Sequence, residues 1–187
     1  MKLKLLPIAA LILFLLSCSS VSNIETFYIG DGGIQYYILP VEYKGAGDNK
    51  SSLEMDYIYR HFPDSGNPVR CNFTVKTKQG PIYKIDKGIF FVEKQEYQIN
   101  GLEMLYREID KKEIRYTGFI DYNVFNKAFS ENISGKIENY YGGAGLKDIL
   151  SIRLATPEKE YIFIPGDDFV ERAEQIQREI LKPVKYD

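Results

Sequence analysis

The chain has 187 residues with 26 acidic and 24 basic side chains, so its formal charge at pH 7 is −2, and it lacks the basic excess that binding to nucleic acid requires. The length fits one domain with enough bulk to bury a core. Tyr and Phe contribute 15 and 11 residues and Trp contributes none, and because Tyr and Phe favour pleated sheets, the composition predicts a mainly β protein.

The N-terminal segment has the parts of a secretory signal. Lys2 and Lys4 give it a positive end, and an apolar run follows over residues 5–16. This run is shorter than the roughly 20 residues that a membrane-spanning helix requires. The segment therefore predicts an export leader and not a transmembrane anchor.

The leader ends in Leu15-Leu16-Ser17-Cys18, which resembles the lipobox of bacterial lipoproteins at Leu15, Ser17 and Cys18. The resemblance implies a diacylglycerol on the Cys18 thiol, removal of residues 1–17, and acylation of the new amino end. Two or three acyl chains hold a protein stably on a bilayer, because each buried methylene contributes about 0.8 kcal/mol. The residue after Cys18 is not Asp, which favours the outer membrane over the inner membrane. The alternative is an ordinary signal peptide in which Cys18 is incidental.

Residues 18–26 are predicted to form a short lipidated tether, and residues 27–187 a single β-rich domain. Loss of Lys2 and Lys4 with the leader would leave a formal charge of about −4, with both signs interspersed. Because the tether is short, we expect the domain to lie close to the membrane, on its periplasmic or surface face.

Three strands are predicted in the first half of this domain. Residues 34–43 are rich in Tyr and β-branched side chains, and Pro40 within them favours a position at a sheet edge. Residues 53–60 alternate apolar and polar side chains, which is typical of a half-buried strand. Residues 69–77 follow across a loop at residues 61–68, so these last two strands are expected to pair antiparallel.

The alternation in the third strand places Cys71 on the same face as Val69, Phe73 and Val75. If Cys18 carries lipid, Cys71 has no partner for an internal disulfide. We therefore predict that Cys71 is a small buried apolar side chain, and the alternative is a reactive thiol.

Short apolar runs then recur at roughly ten-residue spacing, which is typical of an antiparallel sandwich or barrel. They cover residues 88–92, 96–99, 102–109 and 114–122. Asn100-Gly101 is predicted to form a turn between two of these runs. Residues 150–155 and 161–165 are predicted to be two strands joined as a hairpin.

Two segments have apolar side chains at helical spacing. Residues 124–133 predict a short helix, with a continued strand as the alternative. Residues 168–181 predict a longer one, because Asp168 and Glu171 fit a capping box and apolar side chains recur from Phe169 with a period of 3.6. The predicted fold is mainly β (α+β): an antiparallel sandwich or barrel-like sheet with this C-terminal amphipathic helix packed on it.

The sequence contains no recognisable constellation of catalytic or metal-binding residues. His61 is the single histidine, which excludes sites that need two His ligands, and we expect it to be a solvated loop residue near Asp64 and Ser65. Carboxylates that could act as general acid and base show no selective spacing. They are Glu54, Asp56, Glu103 and Asp121. We therefore predict no catalytic residue, no metal ligand and no cofactor.

These observations favour a non-catalytic binding or scaffold module of the bacterial cell envelope, held at the membrane by lipid on Cys18 and recognising an envelope protein. Abundant Tyr is typical of recognition surfaces, although the tyrosines fit a core equally well. An enzyme based on carboxylates is the third hypothesis, after a carrier function.

The alternative function is that of a carrier for a small apolar ligand. Many antiparallel strands followed by a helix resemble the bacterial lipocalins, without the Trp of their Gly-x-Trp signature. Residues 149–181 also resemble the end of a pleckstrin-homology-type domain, in which one helix caps the final strands. Whether the β-structure encloses a cavity of several hundred cubic ångströms distinguishes a carrier from a binding module.

Overall fold

The structure, a computed structural model, describes residues 25–29, 34–61, 68–108, 113–140, 143 and 145–181. Ten strands and four helices lie in these ranges. The strands are β1 (Glu25–Ile29), β2 (Ile34–Gly45), β3 (Ser52–His61), β4 (Val69–Lys76), β5 (Lys87–Val92), β6 (Gln95–Gln98), β7 (Asn100–Glu108), β8 (Glu113–Ile120), β9 (Leu150–Ala155) and β10 (Glu160–Pro165). The helices are α1 (Tyr122–Ala128), α2 (Glu131–Glu138), α3 (Leu146–Ile149) and α4 (Phe169–Glu179).

The strands form one antiparallel sheet that curves into a nearly closed barrel. Its strand order is β6-β5-β9-β10-β2-β3-β4-β8-β7. The tenth strand, β1, pairs with β2 and is not part of this order. The C-terminal helix α4 packs its apolar side chains against the barrel core. The prediction of a mainly β, antiparallel, barrel-like fold with a packed C-terminal helix is confirmed, and so is the hairpin of β9 and β10.

The pairing register defines two ends of the barrel. We call the end with His61 and Ile120 the upper end, because β3 and β8 finish there. The opposite end is the lower end, where Lys44 of β2 pairs with Ser52 of β3. The β4–β5 loop (residues 77–86) and the β9–β10 turn (residues 156–159) lie at the lower end, since β5 starts opposite the end of β9.

The barrel closes where β6 runs into β7. Ile99 lies between them, and its backbone N–H donates to the Gly88 carbonyl of β5 at 2.9 Å. The buried Ile99 side chain lies over two glycines: a Cβ on Gly88 would come within 3.0 Å of it, and one on Gly118 within 2.5 Å. The predicted turn at Asn100-Gly101 is wrong, because both residues belong to β7. Gly101 has a φ of +57° and lies instead at a register shift between Asn100 and Glu103 in the pairing with β8.

Pro40 does not place β2 at an edge of the sheet, contrary to the prediction. β2 pairs with β3 along one side, where Pro40 lies opposite Asp56. On the other side β1 reaches only to Ile38, and the pairing with β10 covers only Tyr43 to Gly45. Pro40 therefore lies in a short gap between two partner strands, where its missing N–H costs no ladder hydrogen bond.

Every second side chain of β3 and β4 lies on the inner face of the barrel, as predicted. Leu53, Met55 and Tyr57 are fully buried on β3. β4 pairs antiparallel with β3, and Cys71 lies opposite Tyr57 with none of its surface exposed. The prediction that Cys71 is buried is confirmed.

The segment predicted as one short helix forms two. Asp121 caps α1 by accepting a hydrogen bond from the Asn123 N–H at 2.7 Å, and Ser130 caps α2 by accepting one from Ile133. Phe125, Phe129 and Ile133 are buried against the barrel core. The helical spacing was sufficient to predict a helix, and Ser130 is the signal for the break between the two.

Helix α4 covers the residues predicted for the C-terminal helix, but its start differs from the prediction. The Asp168 side chain makes no capping hydrogen bond. One of its carboxylate oxygens instead lies 3.6 Å from Nε of the buried Arg172. Phe169, Ala173 and Ile176 are buried, and burying one Phe or Ile side chain contributes about 1.5–3 kcal/mol, so packing and not a capping box holds this helix.

Candidate functional site

The predicted lipid site, Cys18, and most of the tether lie outside the described residues. The first described residue, Glu25, already belongs to β1, which pairs with the upper half of β2. His61 is the last residue of β3 and pairs with Gln35, so its backbone is in the sheet and not in a loop as predicted. Its sequence neighbours Asp64 and Ser65 lie outside the described residues.

The structure does not gather the four candidate carboxylates into one site. Glu54 forms an ion pair with Lys76, and an Asp56 oxygen lies 3.9 Å from the Arg115 guanidinium. Glu103 is exposed on β7, and Asp121 caps α1. In the part of the chain that the structure describes, no group of three or more His, Cys, Asp or Glu side chains is placed to hold a metal ion.

Aromatic rings occupy the middle of the barrel. Tyr57 on β3 contacts Phe90 on β5, with 6.3 Å between ring centroids, although these strands are four places apart in the sheet order. Phe125 and Phe129 pack on the same tyrosine from the helices, at 5.4 and 5.2 Å. Rings from opposite walls therefore touch across the interior.

Two tyrosine hydroxyls form an isolated pair inside this ring cluster. The Tyr43 and Tyr57 Oη atoms lie 2.6 Å apart and are buried. Burial disfavours the phenolate, so it raises the pKa of both Tyr43 and Tyr57 above their ordinary value. The same cause raises the pKa of the buried Cys71 thiol, which therefore stays protonated and unreactive at neutral pH.

The lower end of the barrel is open and polar by contrast. A cleft of about 250 Å³ lies between the β4–β5 loop and the β9–β10 turn, which is below the roughly 300–1,000 Å³ of typical small-molecule sites. Pro81 and Tyr83 line one side of it, and Pro157 and Tyr161 line the other. A second hollow, of about 490 Å³, lies on the opposite face of the same loop, so the loop stands out between two depressions.

Tyr83 points outward from this loop because Ile82 beside it points inward. The Tyr116 hydroxyl donates to the Ile82 carbonyl, and the Ile82 side chain is buried in the core. Tyr83 is consequently 61% exposed, more than any other large apolar or aromatic side chain among the described residues. The sequence Lys78-Gln79-Gly80-Pro81 predicts the turn at the start of this loop, and the structure has a turn there, but the exposure of Tyr83 was not predicted, although the four lysines over residues 76–87 could have indicated it.

The upper end is held together by an ion cluster on the β5–β6 turn. Glu93 accepts from Lys136 of α2 and lies 3.3 Å from Lys127 of α1. The hydrogen bonds from these two ammonium groups lower the pKa of Glu93. The backbone N–H groups of Glu93 and Lys94 also donate to the Ile149 and Asp148 carbonyls at the end of α3. These contacts fasten the turn to three helices.

Comparisons of the chain with known protein families, with curated proteins and with solved structures found no match. Among the described residues, no helix is long and apolar enough to cross a membrane.

Proposed function

We propose that this protein is a lipid-anchored envelope lipoprotein whose β-barrel body is a non-catalytic binding or scaffold module. The observation that carries the anchoring is the sequence Leu15-Leu16-Ser17-Cys18 at the end of a short apolar leader. Anchoring would follow from removal of residues 1–17 and attachment of acyl chains at Cys18. The envelope is the compartment that this leader implies, and its outer membrane is the proposed site.

The filled interior supports a binding module over a carrier. Rings of Tyr57, Phe90 and Phe129 meet in the middle of the barrel, and an apolar ligand of ordinary size would need them to move apart. Opening such a packed core costs several kcal/mol, because a cavity loses the contacts that the rings make with one another. A module of this kind would therefore use its outer surface to bind a partner.

Metabolic labelling tests the anchor. Cells producing the protein are fed an alkyne analogue of palmitate, and label is read on the purified chain. We expect the wild type to carry label, Cys18→Ser to carry none, and the matched control Cys71→Ala to carry as much as the wild type, since Cys71 is buried in the core. Mass spectrometry of the wild type should show residues 1–17 removed. An unlabelled wild type, or an intact leader, would contradict the proposal.

The carrier of a small apolar ligand is the second candidate, and the nearly closed barrel is the observation that favours it. Organic extraction of the purified Cys18→Ser chain, followed by mass spectrometry, distinguishes the two functions. A carrier should release one apolar compound in a molar amount close to that of the protein. A binding module should release none above the level of a control protein purified in parallel.

A further inference from the structure

The segment of residues 76–87, which consists of the β4–β5 loop and one strand residue on each side of it, is basic in an otherwise acidic chain. Residues 76–87 contain Lys76, Lys78, Lys84 and Lys87 and a single acid, Asp86, which gives the segment a formal charge of +3 against −2 for the whole chain. Lys78, Lys84 and Lys87 are exposed, and so is Tyr83 between them. An exposed Tyr flanked by lysines is the combination that is typical of protein surfaces at the lipid headgroup level.

The sheet places the start of the domain within reach of this end. β1 runs upward from Glu25, which pairs with Ile38 near the middle of β2, so the first residue of β1 is the one nearest to the lower end. The lower end of β2, at Lys44, is six residues further along the strand from Ile38, or about 20 Å. Six residues lie between Cys18 and Glu25, and the seven Cα–Cα steps from one to the other span at most about 25 Å. Lipid on Cys18 can therefore lie level with the β4–β5 loop.

We propose that the lower end of the barrel, through Tyr83 and the lysines around it, rests on the anionic phospholipid surface that holds the Cys18 lipid. The proposal rests on the lipid anchor proposed above and gives the anchored body a defined orientation. The upper end, with α1, α2 and the Glu93 turn, then faces away from the bilayer and remains free for a protein partner.

Acidic side chains limit how deep this contact is. Asp86 lies 3.0 Å from Lys84, and Glu113 and Glu158 line the two hollows beside the loop. These carboxylates reduce the net positive charge that faces the bilayer. The contact is therefore a shallow one at the level of the headgroups, in which Tyr83 enters the interface and the lysines lie beside phosphate groups.

The absence of Trp from the chain allows a direct test. Tyr83→Trp places a single indole on the β4–β5 loop. Tyr140→Trp is the matched control, because Tyr140 is also exposed, at 37%, and lines a hollow together with Lys136, which contacts Glu93 of the upper turn. Each full-length lipidated chain is incorporated into vesicles of phosphatidylethanolamine and phosphatidylglycerol, with and without bromine on the acyl chains near the headgroup. Flotation of the vesicles measures anchoring independently of the fluorescence.

We expect brominated lipid to lower the emission of the Tyr83→Trp chain by roughly two-fold or more, because indole and phenol rings settle at the interface, and to leave the Tyr140→Trp chain unchanged. Equal quenching of both chains, quenching of neither, or stronger quenching of Tyr140→Trp would overturn the proposed orientation while flotation persists. A chain that does not float with the vesicles overturns the anchor itself, and the orientation with it.

A charge-reversal variant distinguishes the contribution of the lysines to membrane contact from that of the ring at position 83. In the Tyr83→Trp chain, Lys78→Glu should reduce the quenching in vesicles that contain phosphatidylglycerol, while flotation is unchanged. Lys94→Glu in the same chain is the control, since Lys94 is exposed on the upper turn. Equal quenching in the two charge variants would show that the lysines of the β4–β5 loop do not face the lipid and would overturn their part in the proposal.

Discussion

Tyr57 and Tyr83 are the same residue type in opposite surroundings. Tyr57 has none of its surface exposed and touches the rings of Phe90, Phe125 and Phe129, whereas Tyr83 is 61% exposed on a loop. A high Tyr content fits a core and a recognition surface equally well, and here the chain uses Tyr for both. The difference predicts that truncating a ring of the cluster costs stability, whereas truncating Tyr83 leaves the stability nearly unchanged.

The largest expected contrast comes from truncating one ring in each region. Phe129→Ala should lower the free energy of unfolding by about 3–5 kcal/mol, because it leaves a cavity among Tyr57, Phe125 and Phe169. Tyr83→Ala should lower it by less than about 1 kcal/mol, since the side chain is mostly in solvent. Urea denaturation followed by circular dichroism measures both changes. Should Phe129→Ala prove too unstable to purify, Phe129→Leu keeps most of the volume and should cost less.

The next largest loss of stability is expected from a substitution at the contact between Gly118 and Ile99, where the barrel closes. Gly118→Ala places a methyl group 2.5 Å from a methyl of Ile99, and we expect a loss of about 1–3 kcal/mol from this overpacking. Gly135→Ala is the matched control: no atom lies within 4 Å of its new Cβ, and Ala in helix α2 should instead stabilise the protein by up to about 1 kcal/mol. Thermal unfolding of the two variants gives shifts of opposite sign.

A double-mutant cycle identifies Ile99 as the group that Gly118 accommodates. Ile99→Ala removes the methyl that the new Cβ would meet, so the loss in Gly118→Ala/Ile99→Ala should be smaller than the sum of the two single losses. Additive losses would mean that Gly118 is required for a backbone reason and not for its contact with Ile99.

Removing one hydroxyl at a time from the Tyr43–Tyr57 pair tests whether water reaches the interior of the ring cluster. Tyr57→Phe leaves the Tyr43 hydroxyl buried without its 2.6 Å partner and should cost about 1–2 kcal/mol. Tyr43→Phe/Tyr57→Phe removes both groups and should be closer to the wild type than either single variant. If water had access to the pair, the single variants would be as stable as the wild type.

The same pair sets the response to alkaline pH. Burial raises the pKa of Tyr43 and Tyr57, and it raises the pKa of Tyr59 to about 12. The unfolded chain releases these protons near the ordinary pKa of 10.0, whereas the folded chain keeps them. Stability is therefore unaffected well below pH 10 and falls as the pH rises above it, and the double Phe variant should fall less steeply.

Much of the fold follows from local sequence patterns. Alternation in residues 53–60 and 69–77 predicts both strands, their pairing and the burial of Cys71, because a period of two assigns each side chain to a face. The close contact of Ile99 with Gly88 and Gly118 could not be predicted in this way, since it joins residues from distant strands. The prediction of a capping box at Asp168 is wrong for a related reason, because the Asp168 carboxylate lies near Arg172, which is buried by the tertiary packing.

The exposure of Tyr83 in the β4–β5 loop could not be predicted, because no periodicity continues through the loop. Its position depends on Ile82 being held by Tyr116 of β8, a contact between residues 34 apart in the chain. Local patterns place side chains on faces of strands and helices, whereas loops take their course from the elements that they cross.

The smallest expected effect concerns the upper turn, and its sign is opposite to that of the ring truncations. Glu93 and Lys94 form the two-residue β5–β6 turn with φ of +47° and +67°, a left-handed backbone that favours Gly. Glu93 is retained there by its contacts with Lys127 and Lys136, but the Lys94 side chain is exposed. Lys94→Gly should relieve the strain and raise the free energy of unfolding by about 0.5–1 kcal/mol. Glu93→Gly is the comparison, since it relieves the same strain and also removes the ion cluster, and its gain should be smaller or absent. A loss of stability in Lys94→Gly, measured by urea denaturation, would show that the Lys94 side chain contributes more than its backbone conformation costs.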